Sequence, residues 1–307
     1  FFILFFFIFE KKKIQSLIQS KLHEIQGIII SSDTLVYGGL IPSRRSNETF
    51  EELAKHLLIL KEIKKTNPNM PIYVCSTIMR ISNSNENQEE KIYWNKYGEL
   101  IHKYSYMVDN FSITTDNEYD QYIEKLILDP MSHEAEVMEV FNKIPKEILK
   151  DYIDGRFRNF KINKLLLKWV KEGLIDYLVI CADDSSEKGF NVIEKRLLNR
   201  TIDKIVGLKE KVCIYPGTDE AISLLLGKMI NKKENFSPKF YAKYSKGTKG
   251  SFTVTMYEGV ALKETISNQI KAIGGSLVHS EALADIILYF HTPPEEQEDQ
   301  YLNAIFK

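Results

Sequence analysis

The chain lacks paired-cysteine spacing. Cys75, Cys181 and Cys213 each lie inside an apolar run, with no CxxC and no Cys/His spacing of a metal site. They read as buried, reduced thiols, which favours a reducing compartment and a cytoplasmic location. It also lacks an excess of either charge. With 41 basic and 42 acidic residues the net charge is −1, so there is no electrostatic footprint for a nucleic-acid partner, and the aromatic residues form no base-stacking stripe. A long hydrophobic run is missing too. Phe1 to Phe9 contain only Phe, Ile and Leu, but a membrane span needs about 18 or more apolar residues. No basic region precedes this run and no small-residue cleavage site follows it, as a signal peptide requires. The low-complexity start, followed by Glu10 and three lysines, has the look of AT-rich read-through. Residues 1–13 are expected not to belong to the native fold, and no membrane partner is expected.

Several chemical signatures are absent as well. There is no GxGxxG, no Walker P-loop, no HExxH and no GxSxG. Their absence disfavours Rossmann-type dinucleotide binding, P-loop nucleotide hydrolysis, zincin chemistry and α/β-hydrolase catalysis. No resident cofactor is expected from this pattern.

What is present is an ordinary globular composition, 44% apolar and 27% charged over 307 residues, enough for one large α/β domain or two smaller ones. Helical and strand patterns alternate. Helices are expected over 14–25, 48–65, 86–107, 132–143, 145–153, 160–172, 189–206, 219–231 and 259–273. Pro145 separates two of them, and Gly173 closes the amphipathic run 160–172. Strands are expected over 27–32, 72–77, 176–181, 211–215, 239–244, 251–256 and 285–291. Residues 118–128 are ambiguous. The alternation predicts a mainly parallel α/β sheet. About six or seven strands fall short of the eight of a complete (β/α)8 barrel, and an incomplete barrel-like arrangement is favoured over an open doubly wound sheet. Residues 14–294 read as a single domain with a subdivision near 232–238, followed by a truncated acidic tail, 295–307.

The polar residues collect where the apolar strands end. Such ends line the ligand crevice in both open and closed α/β folds. Asp33 leaves the first strand and is followed by Tyr37, Gly38, Gly39 and Arg44. The two glycines allow unusual backbone angles or close ligand approach, and a guanidinium can clamp an anionic or hydroxylated ligand. Arg80 follows the second strand. Arg156, Arg158, Asn159 and Asn163 supply donors at the entry to a helix, with the two asparagines on one helix face. Asp183 and Asp184 end the third strand. Two adjacent acids repel, so one pKa rises, which suits a general acid beside an orienting base. An Asx-turn feeding the next helix would use the same residues. Thr218, Asp219 and Glu220 follow the fourth strand, with Thr218 as candidate N-cap, and Glu258 and His291 follow later ones.

Taken in order, Asp33 with Tyr-Gly-Gly-Leu-Ile-Pro-Ser-Arg44, Arg156-Phe-Arg-Asn159, Asp183-Asp184 with Gly189-Phe190, and Tyr215-Pro-Gly-Thr-Asp-Glu220 resemble a bacterial domain-of-unknown-function family numbered 4127. The resemblance runs from about residue 27 to 294. It implies a shared site and a fragment of a longer protein, and it carries no activity.

Three functions compete. The first is a hydrolase on a carbohydrate-like, polyhydroxylated small molecule, with Asp184 as general acid and Asp183 orienting or stabilising. Asp33, Tyr37, Gly38, Gly39, Arg44, Arg80, Arg156, Arg158, Asn159, Asn163, Asp219, Glu220 and Glu258 would bind substrate. The second is a divalent-metal enzyme on phosphate esters, with Mg or Mn on Asp33, Asp183, Asp184 and Asp219. The third is a non-catalytic sugar or metabolite binder.

Overall fold

The computed structural model describes residues 11–111, 135–183, 187–255 and 258–292. Residues 1–10, the ambiguous stretch 118–128 and the acidic tail lie outside them. Four strands, β1 (Ile28–Ser31), β2 (Ile72–Ile78), β3 (Tyr177–Ala182) and β4 (Val212–Pro216), pair in parallel in chain order. A second parallel sheet has β5 (Lys239–Tyr244) between β6 (Ser276–Leu277) and β7 (Ile286–Phe290). The expected α/β class with parallel strands is what the chain forms, and its described strands divide between two sheets. The polar stretch near 232–238 separates their sequences.

The apolar runs of the first sheet are continuous because both faces are covered, as parallel sheets require. Side chains alternate along each strand. Ile72, Val74, Leu178, Ile180 and Val212 enter one core, while Tyr73, Cys75, Tyr177, Val179, Cys181, Cys213 and Tyr215 enter another. Helices α2 (Ser32–Tyr37), α4 (Phe50–Thr66), α7 (Lys146–Lys171) and α8 (Phe190–Lys204) share the first core. Helix α9 (Ala221–Lys233) packs on the second, which also takes Ala272 from α11 (Leu262–Ala272). All three cysteines are buried and free, as read from their apolar surroundings. In the second sheet, Phe240 packs with Ile266 and Ile270 of α11, whereas Ile287 and Tyr289 on the last strand are exposed. Among the described residues no helix is long and apolar enough to cross a membrane.

Local sequence explains the start of α4. Thr49 and Glu52 form a capping box at α4, each side chain accepting the other residue's backbone N–H. At the opposite, N-terminal edge of the sheet, Asp176 accepts from the Ile72 N–H and from Lys64 Nζ, both at 2.8 Å. Its carboxylate thus fastens β2 to β3 and is structural.

The structure departs from the sequence reading in several elements. The helix expected from residue 14 begins at Lys11 (α1, Lys11–Lys21), and α3 (Leu40–Arg45) was not foreseen. The helix expected from residue 86 begins at Trp94 (α5, Trp94–Phe111), leaving a polar loop over 79–93. Helix α6 (Ala135–Asn142) matches its expected segment. Residues 145–153 and 160–172 are not two helices but one, α7, with Gly155 inside it. Residues 251–256 do not make a strand over their described part. A short helix, α10 (Gly247–Ser251), and one isolated bridge from Val254 to Ala261 stand there.

Helix α7 survives an internal glycine, which costs about 1 kcal/mol against alanine, because its inner face is bonded along its length. Arg156 makes a bidentate pair with Glu194 of α8, at 2.8 and 3.0 Å, and donates to the Met79 and Arg80 carbonyls at 2.8 and 3.0 Å. Its side chain is 1% exposed and that of Glu194 is 3%. Removing one partner of a buried, hydrogen-bonded pair strands the other charge. Arg156→Met should therefore cost about 3–5 kcal/mol in urea denaturation. Arg156→Met with Glu194→Leu should cost less than the two single losses summed. Additive losses would show that the pair is not coupled.

Candidate functional site

The C-terminal ends of β2, β3 and β4 come level, with Ile78, Ala182 and Pro216 in one row, while β1 stops at Ser31 opposite Cys75, three residues short of the end of β2. The residues just beyond these positions make the candidate site.

From β1 the chain enters α2 at once. Ser31 caps that helix by accepting the Thr34 N–H, which puts Asp33 in its first turn, beside β2. Thr77 Oγ1 donates to Asp33 Oδ2 at 2.9 Å. Gly38 closes α2 in the left-handed region, φ 91°, and Gly39 follows at φ 148°. These are angles that a side chain would strain, so of the two uses foreseen for the pair, the backbone one is present. This tight reversal starts α3 and returns Arg44 over the strand ends.

Arg44 is the hub. Its side chain is 1% exposed. Nη2 is ion-paired with Asp183 Oδ2, Nη1 donates to Glu89 Oε2 at 2.9 Å, and Glu90 Oε1 lies 3.5 Å from Nη1. Arg80, from the end of β2, meets the same two glutamates: Nη2 to Glu89 at 2.9 Å and Nε to Glu90 at 3.0 Å. Thr218 Oγ1, after β4, donates to Asp183 Oδ1 at 3.3 Å. Thr218 is therefore not the N-cap of α9, which begins at Ala221 after Glu220, and Asp219 is exposed rather than in the helix's first turn.

The α7 donors lie beneath this layer. Asn163 Nδ2 donates to the Thr77 carbonyl at 3.1 Å while its Oδ1 accepts from Ser76 Oγ at 2.5 Å. Asn159 and Arg158 both donate to the Ser43 carbonyl, at 3.1 and 2.8 Å, and Arg158 also reaches the Ser46 carbonyl. Arg156, Arg158, Asn159 and Asn163 are all buried, and they hold the backbone that carries Arg44 and Arg80. Tyr37 is buried with the Arg158 guanidinium 5.5 Å from its ring centroid. Arg44 Nε is buried with no hydrogen-bond partner among the described residues. Glu220 accepts from Gln269 of α11 at 2.7 Å, and Glu258 accepts from Thr265 of the same helix at 2.6 Å. Asp33, Arg44, Arg80 and Asp183 are thus brought together, whereas Glu220 and Glu258 are engaged with α11. Asp184 lies outside the described residues, as does Tyr257.

Sequence reasoning missed Glu89, Glu90, Glu194 and Thr77, and took Thr218 for a helix cap when it donates to Asp183. The acidic run Glu86-Asn-Gln-Glu-Glu90 was assigned to a helix, and only charge complementarity with Arg44 and Arg80 could have flagged it.

The charges in this layer differ in kind. Burial pushes the Asp33 carboxyl from 3.8 up to about 7, outweighing the Thr77 hydrogen bond, with the Asp183 charge adding to the rise and Arg44 opposing it. Burial also raises Glu90 against the pull of Arg44 and Arg80. Glu89, which is more exposed, is lowered by its hydrogen bond to Arg44. Among the described residues no three His, Cys, Asp or Glu side chains are grouped so as to hold a metal ion.

A family sequence profile matches residues 10–306. The chain belongs to the DUF4127 family. That family is described as a protein of unknown function. The matched span takes in every strand end described above and the start of α1. No curated protein matches the chain, and no solved structure does.

The Asp33 shift has a consequence for stability. The folded carboxyl keeps its proton up to about pH 7, whereas the unfolded one releases it near pH 4. The native state therefore binds the extra proton in that window, and its stability falls as pH rises through it. In urea denaturation at pH 4 and pH 8, Asp33→Asn should lose roughly 3–4 kcal/mol less over that interval than the wild type. Equal losses would mean that Asp33 ionises normally in the fold.

Proposed function

We propose that this protein is a hydrolase acting on a carbohydrate-like, polyhydroxylated substrate at the C-terminal edge of its first sheet. One observation carries the reading. Two carboxylates flank the end of β2 in unlike environments, Asp33 buried with its pKa raised to about 7 and Asp183 ion-paired to Arg44. Carboxyls held apart in this way divide into a proton donor and an ionised partner. Asp33 takes the donor role, and Asp183 stabilises positive charge developing on the substrate. The sequence reading assigned proton donation to Asp184, which lies outside the described residues; the raised pKa of Asp33 supports giving that role to Asp33. Arg44 Nε, a buried donor with no hydrogen-bond partner among the described residues, supports a polar contact to substrate at this edge.

The sequential order of the first four strands supports a barrel-like wall, while helices on both faces of that sheet support the doubly wound alternative. Both place the site at the same edge. The free, buried thiols support a reducing cytoplasmic location. The metal-dependent phosphoesterase reading has less support, since Asp183 is already ion-paired to Arg44 and burial keeps Asp33 protonated up to about pH 7, so neither carboxyl favours a cation.

A screen of aryl glycosides tests the proposal. Asp33→Asn should lower kcat/KM by about 10²-fold or more. The wild-type rate should fall as pH rises through about 7, because the acid must be protonated to act. Turnover that is unaffected by Asp33→Asn, or that rises through pH 7, would remove Asp33 from the chemistry. Asp184→Asn, run in parallel, reports whether the neighbouring acid shares the role.

A further inference from the structure

Glu89 stands in an unusual relation to its partners. A single oxygen, Oε2, lies 2.9 Å from Arg44 Nη1 and 2.9 Å from Arg80 Nη2. Two guanidiniums converge on one oxyanion position. The two cations are held in place, with side chains 1% and 19% exposed, while the Glu89 side chain is 43% exposed. Of the three acids around Arg44, Asp183 is 11% and Glu90 4% exposed, so only Glu89 can leave for water cheaply. Its departure does not require the loop to open. Arg45 holds the loop backbone through the carbonyls of Asn87, Gln88 and Glu90, and Lys91 ties it to Asp151 at 2.8 Å. A side-chain rotation is enough. Arg44, nearly fully buried, also has its Nε without a hydrogen-bond partner among the described residues.

We propose that Arg44 and Arg80 form a binding site for an oxyanion carried by the ligand, and that Glu89 holds its place as an internal competitor. Guanidiniums cannot shed their charge, so an anion must occupy the position. A ligand carboxylate or phosphate can replace the Glu89 carboxylate, placing one of its oxygens between the two guanidiniums. Since Arg44 contacts Asp183 through its other terminal nitrogen, the bound anion would lie one guanidinium away from the Asp33–Asp183 pair. For the location of the reacting bond this rests on the hydrolase reading, and it narrows the substrate to an acidic sugar or a sugar phosphate. The binding itself requires no turnover.

Calorimetry on the full chain tests the site, with D-glucuronate and inorganic phosphate as separate arms and D-glucose as the neutral control. Glucuronate or phosphate should bind and glucose should not; the arm that binds identifies a carboxylate or a phosphate ligand. Glu89→Gln, which removes the competitor, should tighten binding about fivefold (about 1 kcal/mol), as expected when the acid of the pair is partly exposed and its loss to water is cheap. Arg80→Met should abolish it. Glu86→Gln makes the same charge change on the same loop, where the side chain is exposed, and should leave affinity unchanged. Failure of both anions to bind wild type and Glu89→Gln would overturn the proposal. So would an equal gain from Glu86→Gln and Glu89→Gln, which would be a general field effect. Anion binding without glycoside turnover would sustain the clamp and reject the hydrolase.

Discussion

Carbonyls at the ends of parallel strands point out of the ladder and must find donors elsewhere. Here one helix supplies them. The inner face of α7 delivers Asn163 to the Thr77 carbonyl, Arg156 to those of Met79 and Arg80, and Arg158 with Asn159 to that of Ser43. A buried carbonyl without a partner costs about 1–3 kcal/mol, so this set of bonds fixes where β2 ends and where α3 lies. Arg80 leaves one of those segments and Arg44 the other. The position of both cations is thus set from below, by side chains that need not touch a ligand.

The electrostatics follow from that placement. Guanidiniums held in a dry layer stay charged, and the acids around them settle according to distance and burial. Asp183 and Glu89 reach a guanidinium directly. Asp33 has a threonine hydroxyl as its donor, and for it burial prevails. Unlike neighbours thus give chemically alike side chains different protonation behaviour. Adjacency in sequence, by contrast, says nothing about the partner each acid meets.

That contrast marks what could be read from the chain. Asp33, Arg80 and Asp183 were legible because each lies within two residues of a strand's end, and strand direction puts them at one edge; Arg44 was legible through the Gly38-Gly39 turn that follows the first strand. The donors Arg156 to Asn163 were recognised as a group, but placed at the entry to a separate helix. The tertiary bonds that override this division cannot be seen in a local pattern. Glu89 and Glu90 were hidden in a polar loop whose placement comes from long-range bonds to Arg44, Arg45 and Asp151 and from Arg80. The alternating residues near 251–256 had the period of a strand and no neighbouring strand to pair with, and β6 is two residues long, below what periodicity can register.

The Arg44–Asp183 pair joins residues 139 apart in sequence, and Asp33 meets Thr77 across 44. Strands β2 and β3, adjacent in the sheet, are separated by the whole of α5 to α7. Contacts of such range close large loops before they return any stability, which slows folding. The charged layer therefore has no local precursor. It is assembled from four separate chain segments, and a nascent chain acquires it only after β3 has docked beside β2.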